Sequence, residues 1–286
     1  MIKSKHIITA LPLIASVLGR KYGVQVVIGG SSAHTDGKTI FLPSLPADGD
    51  ENLLNLARGF IDHESAHLRE TDFSVGRKVT PLEHHICNIL EDWRVEKILA
   101  NIFPGCKHNL TWLARHFLLD DQDNVPSSDQ AQAILLWLLL TVYSWSLPEL
   151  LPQLDVVTKD IGNNYPGLLC QLEPIMQSVP QRCTSTQRCL EVAKEIVKLL
   201  RKYHYEGLTC DNQQESSDEN NSSMHGNAKS QVSPENMDKL KQLINSGKSE
   251  LPSDLGKRIA VELTNIAVAD TSDNHITVAV RNIKNT

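Results

Sequence analysis

Aromatic residues are scarce in this chain, at 5% of 286 residues, while Leu, Ile, Val and Ala are abundant. β-Sandwich cores draw on aromatic and β-branched side chains, so the shortage favours helices. None of the six cysteines (Cys87, Cys106, Cys170, Cys183, Cys189, Cys210) forms a C-x-x-C pair. They are spread through a chain long enough to bury a core without staples, which points to reduced thiols in a cytoplasmic protein. No basic patch argues for nucleic acid. The net charge of −6 is mild and mostly local, because five acids and one lysine fall between Asp211 and Asn236.

Long apolar runs are also missing. The most apolar stretch, Gln130 to Trp145, falls short of the roughly 20 residues that a membrane span needs, so it reads as a core helix buried all round. Lys3 and Lys5 followed by an apolar stretch resemble the start of a signal peptide, but no small-x-small cleavage pattern follows. Instead Ile7, Leu11, Ile14 and Leu18 form the stripe of a folded amphipathic helix. There is no internal repeat.

What the chain does contain is His63-Glu64-Ser65-Ala66-His67, an H-E-x-x-H motif. Residues i and i+4 of a helix share a face, so both imidazoles can reach one metal ion. The intervening glutamate can then act as a general base on a water. Leu53, Leu54, Leu56, Ala57, Phe60 and Ile61 recur at helical spacing upstream, interrupted only by Gly59, which can admit another element closely. Asp48-Gly49-Asp50 offers acids for the helix start.

Two histidines do not complete a Zn2+ site. The metzincin solution fails because position 73 is Phe73. A carboxylate from a second helix is the alternative, and Glu91 is the expected third ligand, on a helix opened by Pro81 and stopped at Phe103-Pro104-Gly105. Asp92 lies about 100° around that helix and is expected to support a histidine from outside; Asp92 or Glu96 could also replace Glu91. Glu83, His84 and His85 are candidates for substrate binding, and His84, His85, His108 and His116 for stabilising an oxyanion. Cys87 reads as a packed core thiol.

The order H-E-x-x-H, then Asn88-x-x-Glu91-Asp92-x-Arg94-x-Glu96, then a Pro-Gly turn resembles the gluzincin-type metallopeptidase region that precedes the von Willebrand factor A domain in CobT-like proteins of bacteria and phages. The resemblance implies a zincin-like metallopeptidase domain that hydrolyses a peptide or protein substrate. The A domain's D-x-S-x-S is missing; Asp270-Thr271-Ser272-Asp273-Asn274 matches it only loosely. A shortened or stand-alone version without a cobalt-chelatase role is therefore expected.

The expected fold is mainly α with a small N-terminal β-sheet, an α+β arrangement. That sheet would use Val24 to Ile28 and Lys38 to Pro43. Residues 1–206 would form the metallopeptidase domain, 207–236 a disordered acidic linker, and 237–286 a small helical segment and tail. Leu147 to Tyr165 is expected to be broken by prolines and Gly162, with a clear helix returning at Gln187 to Tyr203. The rival expectation is a non-catalytic zinc-binding adaptor that contacts a protein partner through its C-terminal tail. An intact Glu64 favours catalysis, since a structural site needs no general base.

Overall fold

A computed structural model describes residues 4–19, 25–29, 34–35, 38–42, 45–46, 50–75, 78–120, 130–211, 232–247, 261–263, 265, 275–276 and 278–279. The chain is mainly helical. It opens with α1 (Ser4–Leu18), whose Leu11, Ala15 and Leu18 are buried. The short strands β1 (Gln25–Ile28), β2 (His34–Thr35), β3 (Thr39–Leu42) and β4 (Leu45–Pro46) follow.

β1 and β3 pair in parallel, Gln25 opposite Thr39 and Ile28 opposite Leu42, with β2 antiparallel on the far side of β3. The expected sheet is present, but its two main strands are not a hairpin; a crossover containing β2 joins them, as a parallel pair requires. Val26, Ile28, Ile40 and Leu42 alternate inward. Two strands from the C-terminal region complete the β structure. β5 (His275–Ile276) pairs with β4, and β6 (Val278–Ala279) pairs antiparallel with β1.

Two long helices form the centre. α2 (Glu51–Glu70) starts where acids mark it, the Asp50 side chain accepting from the Leu53 N–H at 2.9 Å. α3 (Pro81–Ile102) begins with Pro81 in its first turn and a full capping box. In that box Glu83 accepts from the Thr80 N–H at 2.9 Å while Thr80 Oγ1 accepts from the Glu83 N–H at 3.3 Å. Glu83 therefore caps a helix. Phe103 ends α3, and α4 (Pro104–Arg115) follows, extended by a π turn over His116–Asp120.

α5 (Gln132–Ser144) is buried at every position but Thr141. Among the described residues no helix is long and apolar enough to cross a membrane. After a 3₁₀ turn (Pro148–Leu150), α6 (Leu151–Asn164) is continuous, against the expectation of a broken segment. Its proline lies in the first turn, where a missing N–H costs nothing, and Gly162 is exposed inside it. α7 (Leu168–Arg182) and α8 (Thr186–Asp211) complete the bundle, α8 lying against α3.

Of the expected acidic linker, 212–231 lies outside the described residues, while its first residues end α8 and its last begin α9 (Pro234–Ser246). α9 packs against α8 and α3, and its Leu240 and Leu243 belong to the same hydrophobic core. The boundary drawn from composition thus divides the sequence but not the packing. Most of the helix expected over Leu255 to Ala267 lies outside the described residues; 261–263 and 265 are helical.

α2 and α4 meet at Gly59, where a Cβ would overlap the Leu113 side chain. Gly162 has nothing within 4 Å of the same position. Alanine raises helix propensity by about 1 kcal/mol at either site, but overpacking costs about 1–3 kcal/mol. Gly162→Ala should therefore raise stability in denaturant unfolding, and Gly59→Ala should lower it.

Candidate metal centre

α2 and α3 run antiparallel, and two i,i+4 pairs face each other across them like rungs. His63 Nδ1 meets Glu96 Oε1 at 2.8 Å, and His67 Nε2 meets Asp92 Oδ1 at 3.1 Å. The two imidazoles touch edge to face, with centroids 4.8 Å apart. His63, Asp92 and Glu96 are buried and His67 nearly so.

Hydrogen bonds fix how each ring is presented. A carboxylate only accepts, so His63 carries its proton on Nδ1 toward Glu96, whose other oxygen accepts from the Tyr143 hydroxyl at 3.1 Å. Thr71 donates its hydroxyl proton to Glu91 Oε1 at 2.9 Å, so its oxygen accepts from His67 Nδ1, also at 2.9 Å. In the neutral rings both Nε2 atoms keep their lone pairs, the form in which histidine ligates a metal.

That arrangement sets lone pairs against each other. With His67 neutral, its Nε2 faces Asp92 Oδ1 as acceptor to acceptor, and among the described residues Asp92 Oδ2 is buried without a hydrogen-bond partner. Such contacts are stable only with positive charge between them. His63 reports the same demand. Burial pushes its imidazole down, yet the Glu96 hydrogen bond and the charges of Asp92, Glu96 and Glu64 outweigh that and lift it to about 10. A field that would hold a second proton there would hold a cation in its stead. One ligand atom each from His63, His67 and Asp92 lies within 4.8 Å of the others, a group that could hold a metal ion. Two imidazoles, a carboxylate and an unpartnered buried oxygen fit that ion chemically.

Glu91 is not in this group. Its carboxylate receives Arg94 Nε at 2.8 Å and Nη2 at 2.6 Å, besides Thr71 and, at 2.8 Å, Thr186. Burial raises its pKa, but those donors outweigh burial and hold it below the usual carboxylate range. One residue of helix turns a side chain by about 100°, and in the observed phase of α3 that step aims Asp92 at the histidines and Glu91 at α8. The expected roles are therefore exchanged: Asp92 faces the pair, Glu96 supports His63 from outside, and Glu91 reaches His67 only through Thr71. The equal spacings of His63/His67 and Asp92/Glu96 are the sequence signal for this, since antiparallel helices align such pairs and Glu91 has no acid four residues away.

Glu64 is buried, and its charge acts on His63. The other histidines stand apart from the cluster. His84 is exposed beside Asn88, His85 is half-buried in α3, and His108 is exposed. His116 stacks on Trp112 and pairs with Glu262 at 3.0 Å. Burial, then the charge of Glu91, pushes the Cys87 thiol up to about 12, so it stays protonated.

A mainly helical chain with a buried His-His-Asp group is a candidate metal-binding protein. Residues 6–137, from α1 into α5, match the profile of the family described as cobalamin biosynthesis protein CobT, so this part of the chain, which contains His63, His67 and Asp92, is CobT-like. No curated protein and no solved structure matches.

Asp92→Asn should weaken binding of a divalent metal ion, read by chelator competition, by more than the roughly 10–100-fold that losing an outer partner costs, and Thr71→Val by about that range. Glu91→Gln should keep the metal ion but lose about 3 kcal/mol of stability, because buried Arg94 loses its counter-charge. A metal ion at a hundred times its Kd should stabilise wild type by about 2.7 kcal/mol and Asp92→Asn by far less.

Proposed function

We propose that the chain is a zinc-dependent peptidase, with His63, His67 and Asp92 as the metal ligands and Glu64 as the general base. The observation that carries this reading is the convergence of one ligand atom each from His63, His67 and Asp92 within 4.8 Å, with buried Glu64 next to His63 in sequence and outside that group. A structural zinc site would be closed and cysteine-rich and would have no use for Glu64.

In this donor set a bound zinc ion supplies a Lewis acid that polarises a carbonyl and acidifies a water. The protein's own groups do the rest. Glu96 and Thr71 hold the two imidazoles in the ligating tautomer, and Tyr143 and Glu91 hold Glu96 and Thr71 in turn. Glu64 takes the water's proton and returns it to the leaving amine.

Glu64→Gln preserves size and should leave zinc stoichiometry unchanged. With labelled casein as substrate, and with intact mass reporting self-cleavage, the variant should be slower than wild type by about 10²–10⁴-fold. Equal cleavage by the two proteins would remove Glu64 from the mechanism. Zinc binding without cleavage by wild type would favour the adaptor.

A further inference from the structure

Beside the metal centre, on the outer side of Glu96, lies a cleft of about 570 Å³ between α3, α4 and the end of α5. Its volume is within the range of ligand pockets. The wall is aromatic: Trp93 and Trp145 meet edge to face with centroids 5.0 Å apart. Trp145 is 39% exposed, more than an indole needs merely to finish a core. Lys97 and Lys107, both exposed, bring two positive charges to the lining, and Lys97 Nζ is held 4.6 Å from the centre of the Trp93 ring. The one acid in the lining is Glu96, and both of its oxygens are engaged, by His63 and Tyr143. The cleft therefore offers an apolar aromatic body and uncompensated positive charge, and it shares a residue with the metal centre.

We propose that this cleft binds a peptide segment carrying a bulky apolar side chain next to a carboxylate. The side chain lies against Trp93 and Trp145, and the carboxylate is drawn by Lys97 and Lys107. Naming a peptide rests on the peptidase reading of the adjoining site; the preference for an apolar group beside an anion rests on the cleft alone. The carboxylate can come from an acidic side chain or from a peptide C-terminus, which share the chemistry the lysines recognise.

Three probes separate these cases: N-acetyl-Phe-Asp-amide, N-acetyl-Ala-Phe with a free C-terminus, and the neutral N-acetyl-Phe-Asn-amide. Each is titrated into zinc-loaded Glu64→Gln protein, with tryptophan fluorescence and calorimetry as readouts. At least one carboxylate probe should bind tenfold or more tighter than the neutral one, and the tighter of the two names the source. The double variant Lys97→Met/Lys107→Met, altered only at exposed positions, should lose that preference, and Trp145→Ala should weaken all three probes. Absence of saturable binding at millimolar probe, equal affinity for charged and neutral probes, or indifference to the lysine variant would overturn the proposal. Selective binding by a wild type that cleaves nothing would sink the peptidase reading and leave the cleft standing. Cleavage of charged and neutral peptides at equal kcat/KM, unchanged in the lysine variant, would do the reverse.

Discussion

The antiparallel register of α2 and α3 is the constraint on which the rest of the structure depends. It sets His63 against Glu96 and His67 against Asp92, and both rungs hold only if the helices keep one axial offset and one rotation. A slip of one residue on α3 would turn every carboxylate by about 100° and put Trp93 and Lys97, or Glu91 and Val95, in place of Asp92 and Glu96. Much of the surrounding architecture fixes that register. The capping box sets where α3 starts, Arg94 ties α3 to the end of α2 through the Glu70 carbonyl at 2.8 Å, and Thr186 on α8 holds the back of α3 through Glu91.

Electrostatics explain why so much structure is devoted to one pair of helices. Glu64, Glu91, Asp92 and Glu96 are all buried within a few turns, and the buried cation among them, Arg94, is committed to Glu91. Buried carboxylates without counter-charge are costly, by several kcal/mol each. The protein offsets this with donors wherever a donor reaches: Tyr143 for Glu96, two threonines and an arginine for Glu91. Among the described residues none reaches Asp92 Oδ2. The deficit lies at the His63, His67 and Asp92 group, the one that could hold a metal ion.

Much of this was legible in the sequence. The starts of α2 and α3 at acids and a proline, the stop of α3 at Phe103, the buried nature of α5 and a helix over Gln187 to Tyr203 follow from caps and periodicity, which are local. The last turns of α8 and the first of α9 fall in the stretch expected to be linker. The choice between Glu91 and Asp92 is not local, because it depends on the rotation of α3 relative to α2. Arg94, three residues on, could have been seen as a partner for Glu91, but Thr186 lies 95 residues away in sequence and only the fold brings it there. α6 is continuous because position decides what a proline does: its own sits in the first turn, and Gly162 is exposed within the helix. The parallel pairing of β1 with β3 and the partners that β1 and β4 find near the C-terminal end rest on long-range contacts that no run of residues announces.

The attachment of α9 has its own consequence. Its first turn is tied to the α6–α7 corner, where buried Tyr165 donates to the Asn236 carbonyl at 3.1 Å and Asn236 Nδ2 donates to Asn164 Oδ1 at 3.0 Å. At its other end Gly247, at φ +57°, abuts the backbone of Pro81 and Leu82, where a side chain would not fit. α9 thus clasps the start of the metal-site helix from beyond the acidic stretch. A chain severed between Asp211 and Val232 would migrate as two fragments under denaturing conditions yet travel as one particle in native buffer, with its metal centre still framed by both pieces.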